Sequence, residues 1–247
     1  MSDIWSAIGH QLKSPAGPQG RLAGRVMSVV NKQPNHLAIQ ALSLRPCDTV
    51  LELGFGAGGA VKTMAALAPR GLVLGIDQSL DMLVQASRLN RLEIGRERVQ
   101  LRLGNFGSLP WPEGSIDKVL AVNVVYFFSA DAREIREAWR VLKPGGLMAV
   151  YATDKSTMAH WKFSGPETHT LFDEDGLRSL LMRGGFSEED CSVSGVSLAF
   201  GIRGLVAIAR KQRTILALWE HFRSKYFNGA RWHLVYKNVS RQAVVKS

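Results

Sequence analysis

Residues 50–60 read VLELGFGAGGA. A run apolar enough for a buried strand carries one acid, Glu52, and then breaks into Gly54, Gly56, Gly58 and Gly59. Glycines at this spacing let a backbone turn tightly and come close to a nucleotide. Gly54, Gly56 and Gly59 fit the G-x-G-x-x-G fingerprint, and Asp77 closes the next apolar run, near where such folds hold a ribose. Two ligand classes fit that outline: a pyrophosphate-containing dinucleotide, or an adenosyl compound without phosphate.

Glu52 separates them. A carboxylate near the end of a buried strand is expensive to keep without a partner, and beside a pyrophosphate it would repel the ligand. Facing a cationic ligand it is well placed, and S-adenosylmethionine offers both a sulfonium and an ammonium. A structural ion pair with a nearby Lys or Arg is the other use of such an acid. No Lys follows the glycines as G-K-[ST], which argues against nucleoside-triphosphate hydrolysis. Residues 1–47 precede this first strand, whereas nicotinamide-binding domains more often begin with it.

Outward from the loop, strand-like and helix-like runs alternate. DTVLEL is followed by GAVKTMAALAPR, a helix expected to bury Val61, Met64, Leu67 and Ala68. The strand GLVLGID leads into SLDMLVQASRLNRL, with Ser79 as N-cap and Met82, Leu83, Ala86 and Leu89 on one face. VQLRLGN and IDKVLAVNVVYFF are the third and fourth strands. DAREIREAWRVL is an amphipathic helix burying Ile135, Trp139 and Leu142 and stopped by KPGG, and LMAVYAT is the fifth strand. Such alternation with nearly continuous apolar strands predicts a parallel sheet covered by helices on both faces. LFDEDGLRSLLMRGGF then forms a helix, and CSVSGVSLA and GLVAIAR, joined near Gly201, predict an antiparallel hairpin on the sheet edge. Ahead of the first strand, Pro15 and Pro18 divide the chain into pieces, each expected to be helical: IWSAIGHQLK, RLAGRVMSVV and NHLAIQALSL.

Composition narrows the classes. Of the 247 residues 46% are hydrophobic and 21% charged, as in ordinary globular proteins, and no apolar run is long enough to span a membrane. The start, MSDIWSAIGHQLKS, lacks the basic and apolar regions of a secretory signal. Cys47 and Cys191 match no redox or metal spacing, and the six histidines form no zinc pattern, so no metal is expected and a cytoplasmic location is. The net charge of +10 is uneven: residues 210–247 hold nine Lys/Arg against the single acid Glu220, while residues 49–209 are nearly neutral. That argues against a whole-domain nucleic-acid binder and for an appended basic element.

The stretches VLELGFGAGG, LGIDQS, LGNFGSLPWPEGSIDKVLAVN, WRVLKPGG and LFDEDGLRSLLMRGGF, in this order and spacing, resemble the class I S-adenosylmethionine-dependent methyltransferases, in particular the branch similar to ubiquinone/menaquinone-biosynthesis methyltransferases. The resemblance covers roughly residues 36–209. It implies an α/β fold: a doubly wound, Rossmann-like seven-stranded sheet, mostly parallel, with an antiparallel C-terminal hairpin. It also implies S-adenosyl-L-methionine as cofactor. Glu52, Gly54 and Gly56 match the motif around the methionine end, and Gly58 completes that loop. Asp77 matches the acid that bonds both ribose hydroxyls, and Gln78 and Met82 match positions lining the adenosine. Asn105 and Phe106 stand where the family commonly has an Asp and a small residue near the adenine, a departure from its pattern. Asn123 falls near the transferable methyl.

Methyl transfer from a sulfonium is an in-line displacement, so alignment and water exclusion matter most, and a general base helps only a protonated nucleophile. Candidate acceptor contacts lie after the fourth and fifth strands, where open α/β sheets bind ligands: Tyr126, Tyr151 and the insert TDKSTMAHWKFSGPETHT. Tyr126, His160 and His169 are the candidate catalytic residues, either histidine assisting deprotonation while Trp161 shapes the acceptor pocket. A surface loop packed by its own aromatics is the competing reading of the insert.

Three regions follow: an N-terminal helical lid, residues 1–47, with Trp5, Ile8 and Leu12 on one face; a cofactor-binding methyltransferase domain, 48–210; and a basic aromatic C-terminal extension, 211–247. In the extension Leu218, Trp219, Phe222 and Tyr226 share a helical face flanked by Arg223 and Lys225. Such a face suits docking on the domain or a partner, peripheral contact with an anionic membrane, or RNA. The expected function is methyl transfer to a small or lipid-like organic acceptor. The alternatives are a membrane-surface lipid or quinone methyltransferase, a non-catalytic cofactor-binding module, and an NAD-dependent oxidoreductase. The sequence prescribes neither the acceptor atom nor an oligomeric state.

Overall fold

A computed structural model describes Gly17 and residues 30–212. The first two expected N-terminal helices and nearly all of the C-terminal extension lie outside the described residues. The first described helix, α1 (Lys32–Leu42), ends where Ser43 turns left-handed at φ 48°. It buries Pro34, Ala38, Ile39 and Leu42. Then come β1 (Thr49–Leu53), α2 (Gly59–Leu67), β2 (Leu72–Asp77), α3 (Leu80–Leu89), α4 (Arg91–Gly95) and β3 (Val99–Leu103). The second half runs β4 (Ile116–Val122), α5 (Arg133–Val141), β5 (Leu142–Thr153), α6 (Lys155–Met158), α7 (Glu174–Arg183), β6 (Cys191–Ser197) and β7 (Arg203–Arg210).

The seven strands form one sheet in the order β3-β2-β1-β4-β5-β7-β6. β1 lies between β2 and β4 and pairs in parallel with both, so Val50, Leu51 and Leu53 are buried on both faces of the sheet. β7 runs antiparallel to β5 and β6, which makes the expected hairpin and puts β6 on the edge. Helices α1, α2 and α3 cover one face over a core that includes Val61, Met64 and Val73, while α5 and α7 cover the other over Ile135, Val141 and Leu177. Strand order reverses between β1 and β4, and an open α/β sheet leaves its ligand crevice beyond the carboxyl ends of the strands at such a switch point.

Local chemistry sets the helix starts. The Ser79 hydroxyl accepts from the Met82 amide at 3.3 Å, and Asp173 accepts from Gly176 at 2.9 Å, each a side-chain N-cap. Three expectations about helix faces need correction. Leu67 is 49% exposed: at about 100° per residue it lies just beyond Ala60 at the edge of the stripe of Ala60, Val61, Met64, Ala65 and Ala68, about a quarter turn from that stripe's centre. Leu89 is exposed in the last turn of α3; the following buried place goes to Asn90, whose amide nitrogen donates to Gly58 and Ala86 carbonyls at 3.1 and 2.9 Å. Leu142 begins β5 instead of ending α5, and KPGG is a bulge within that strand: pairing jumps from Ile116↔Leu142 to Lys118↔Leu147. Trp139, only half-buried, stacks beneath the Lys211 ammonium at 4.0 Å.

Candidate functional site

The loop after β1 is shaped by its glycines. Gly54 holds φ 72° and donates its amide to Ile76 of β2 at 2.8 Å. A Cβ there would stand 2.7 Å from Val124, so the loops following β1 and β4 meet at this residue. Gly56, at φ 50°, has no protein atom within 4 Å of where a Cβ would lie, leaving that side open. Its amide donates to Asp77 Oδ2 at 2.9 Å. Gly58 is required by packing, since a Cβ would lie 2.7 Å from Ala86 of α3.

Two carboxylates lie at or next to the ends of adjacent strands beneath this loop. Glu52 is 3% exposed, and its Oε2 has no hydrogen-bond partner. Burial, then the charge of Asp77, push its carboxyl up to about 8, while the backbone amide of Val61 pulls the other way. Asp77 is raised from the ordinary range by burial, opposed by the amides of Ser79, Gly56 and Gln78. Its Oδ1 accepts from Ser79 at 2.9 Å. Three backbone amides thus share its two oxygens, and a carboxylate's lone pairs are not exhausted by them.

The other expected cofactor positions divide by burial. Gln78 and Asn105 are exposed, and the Asn105 side chain accepts from the Gly107 amide at 2.7 Å. Met82 and Phe106 are buried in the cores on opposite faces of the sheet, Phe106 tilted against Phe128 at 5.9 Å between ring centroids.

Asn123 is the first residue past β4 and holds φ 52°. Its amide nitrogen donates to the Asn31 side-chain oxygen at 2.9 Å, and its side-chain oxygen accepts from the Tyr126 hydroxyl at 2.8 Å. The same hydroxyl accepts from the Thr153 backbone amide. Burial pushes the Tyr126 phenol well above its usual range, so it stays protonated and serves as a donor. Sequence reasoning missed Asn31 and, although Thr153 opens the insert, the part its backbone amide plays. Asn31 lies far upstream with no local motif, and Thr153 contributes only a backbone group.

The insert places its two histidines differently. His169 is buried: its Nδ1 lies 2.8 Å from the Thr168 hydroxyl, and its ring is 4.9 Å from Phe127 and 5.8 Å from Tyr126. Phe163 approaches the same ring at 6.2 Å and stacks on Trp161 at 5.4 Å. His160 is exposed, with Nδ1 2.8 Å from the Ser156 carbonyl; a carbonyl only accepts, so that nitrogen carries the proton. The structure thus joins Tyr126, Asn123 and His169 in one neighbourhood. A groove of about 810 Å³ lined by Cys47, Thr49, Arg70 and Arg102 opens at the amino-terminal ends of the strands, remote from these groups. Among the described residues no three His, Cys, Asp or Glu side chains converge as a metal site.

Residues 51–150 match a family profile described as "Methyltransferase domain". An uncharacterized methyltransferase, YdaC, of Bacillus subtilis is 32% identical over 129 residues, 52% of this chain and 69% of its own. A 37.1 kDa protein in a transposon of Streptomyces fradiae is 34% identical over 160 residues, 58% of this chain and 46% of its own. The demethylmenaquinone methyltransferase of Symbiobacterium thermophilum is 35% identical over 103 residues, 41% of either chain. The chain thus spans less than half the length of the last two. In structure, a SAM-dependent methyltransferase of Aquifex aeolicus superposes with a TM-score of 0.56 at 20% identity, covering 71% of this chain and 89% of that one.

Proposed function

Because the chain belongs to the class I S-adenosylmethionine-dependent methyltransferases, we propose that it transfers a methyl group to a small or lipid-like organic acceptor seated between Asn123 and the insert 153–170. The observation that carries this reading is the unpartnered Oε2 of Glu52. A buried acid with a free lone pair fits a cationic ligand, whereas a pyrophosphate would be repelled. The open side of Gly56 fits a ligand lying against the backbone. These features and the family together displace the nicotinamide reading. When bound, the sulfonium cofactor supplies an electrophilic methyl group and leaves as a neutral thioether.

The chain's own residues take the following parts. Glu52 holds the cationic end of the cofactor, and Asp77 accepts from vicinal ribose hydroxyls with the lone pairs its backbone donors leave. Gly54 and Gly56 admit the cofactor close to the backbone. Gln78 and Asn105 are the exposed groups for the adenosine, with Met82 and Phe106 buried behind them on opposite faces of the sheet. Tyr126 orients the Asn123 side chain, which faces the reacting centre. His169, ringed by aromatics, receives a proton from a protonated acceptor; His160 is too exposed to hold one in a dry site. The aromatic lining suits a flat or lipid-like acceptor, and a relative named for demethylmenaquinone supports the same choice.

A thermal-shift comparison of S-adenosylmethionine, S-adenosylhomocysteine, NAD and NADP tests the reading. A ligand at about 100 times its Kd stabilises by roughly 2.7 kcal/mol. Shifts with the two adenosyl compounds alone are expected, and a shift with NAD or NADP alone would remove the assignment.

A further inference from the structure

The glycine loop is tethered along its length, and its last tether comes from a helix. Gly54 and Gly56 donate their amides to β2, at the Ile76 carbonyl and Asp77 Oδ2. Gly58 holds φ 82° and is the N-cap of α2, a helix start with no side-chain cap. Its carbonyl accepts from the Lys62 amide at 3.1 Å and from Asn90 Nδ2 at 3.1 Å. Asn90 stands at the junction of α3 and α4, 32 residues further along the chain. Glycine has little conformational preference of its own, so a donor from another element supplies a constraint that this loop lacks.

The Asn90 side chain is costly where it sits. The residue is 2% exposed, and its Oδ1 has no hydrogen-bond partner among the described residues. Turning the amide over would set that oxygen against the carbonyls of Gly58 and Ala86. A buried acceptor left unpaired destabilises a fold. The junction does not depend on the side chain for its backbone bonds, because the Asn90 amide donates to Ala86 at 2.9 Å and its carbonyl accepts from Glu93 and Ile94 at 3.0 Å. The side chain's second bond goes to that same Ala86 carbonyl. Its distinct contribution is the hold on Gly58.

Two parts of the cofactor site depend on that peptide. Gly56, two residues earlier, leaves its outer side open to a ligand. Gly58 also sets where α2 begins, and the first turn of α2 brings the Val61 amide to the Glu52 carboxylate.

We infer that Asn90 is a positioning residue for the cofactor: its Nδ2 fixes the Gly58 peptide, and through it the loop 54–58 and the Val61 amide that meets Glu52. This rests on the reading of that loop as cofactor-binding.

The test compares Asn90→Ala and Asn90→Leu with the unaltered chain. Both remove the donor and the unpaired oxygen, and Leu keeps a branched side chain in the space. The S-adenosylhomocysteine Kd, measured by calorimetry well below each melting temperature, is expected to weaken about tenfold in both, the order of one hydrogen bond lost. Amide hydrogen exchange is expected to quicken across residues 53–61 while α3 and α4 keep their protection. A purely structural role predicts the opposite: a lower melting temperature, exchange quickened throughout α3 and α4, and an unchanged Kd. That result overturns the inference, as does failure of both variants to fold. The unaltered chain separates this inference from the wider one. If it binds S-adenosylhomocysteine and the variants bind it as tightly, only the role of Asn90 falls. If it binds no adenosyl compound, the cofactor reading falls and the role of Asn90 with it.

Discussion

Glu52 and Asp77 are buried carboxylates near the ends of adjacent parallel strands, and they do not ionise independently. Burial, and after it the negative charge of Asp77, hold the Glu52 carboxyl near 8, far above its ordinary 4.5. Between those values the folded protein binds more protons than the unfolded chain. Stability from this group is therefore fully present below pH 4.5 and is lost as pH rises through 8. A bound cation reverses the preference by favouring the carboxylate.

Two measurements follow from that sign. Without ligand, the melting temperature is expected to fall from pH 5 toward pH 8, the range bounded by the ordinary and shifted values. Near neutral pH, calorimetric titration of S-adenosylmethionine in buffers of different ionisation enthalpy should show proton release on binding. Uptake, or no buffer dependence, would mean that Glu52 is already ionised without ligand.

Replacing Glu52 by Gln keeps the shape and removes the charge. Because its Oε2 has no hydrogen-bond partner and its charge is disfavoured by burial, Glu52→Gln is expected to raise the melting temperature at pH 8 and flatten its pH dependence. It should weaken S-adenosylmethionine by about 1.5–3 kcal/mol, the worth of a hydrogen bond to a charged group. A loss in both stability and binding would instead make Glu52 a structural acid.

The three glycines of the loop separate by what a Cβ would meet. Gly54→Ala forces a contact with Val124 at a positive φ, and Gly58→Ala one with Ala86. Each should cost about 1–3 kcal/mol in stability. Gly56→Ala meets no protein atom, so only its backbone strain, roughly 1 kcal/mol, is expected in stability, with cofactor binding falling much further. Denaturation curves paired with binding isotherms distinguish the three.

Much of this architecture was written in local patterns. The β1 run, the glycine loop and Asp77 are contiguous signals, and the strand–helix alternation together with the apolar strands specifies a covered parallel sheet. Helix faces were less legible at their ends, where Leu67 and Leu89, in the last turns of α2 and α3, are exposed. The KPGG bulge was hidden for a related reason: a Pro-Gly-Gly string stops a helix or kinks a strand equally well, and pairing with β4 decided. The Asn31–Asn123–Tyr126 chain was beyond sequence, since it joins residues far apart through side-chain geometry alone.

That chain predicts the behaviour of Tyr126→Phe. Losing the hydroxyl leaves the buried Thr153 amide without its acceptor and releases the Asn123 oxygen. The cost in stability should be about 1–3 kcal/mol, with kcat lowered and the cofactor Kd unchanged. If Tyr126 is a positioning residue, the pH profile of kcat keeps its shape. A profile that loses its basic limb would make the phenol a proton carrier.

The two histidines of the insert give the sharpest contrast. His160 sits in solvent and points a protonated Nδ1 at a backbone carbonyl, so His160→Gln is expected to leave turnover and cofactor binding near those of the unaltered protein. His169 is enclosed by Phe127, Tyr126 and Phe163, next to the side chain that Tyr126 orients. If it takes the acceptor's proton, His169→Gln should lower kcat by about a hundredfold or more, with the S-adenosylhomocysteine Kd unchanged. A purely packing role predicts a loss of stability with kcat retained at low temperature, and His169→Phe, which restores the aromatic volume, would then recover stability and activity together. Stability recovered without turnover would leave proton transfer as the function of the ring.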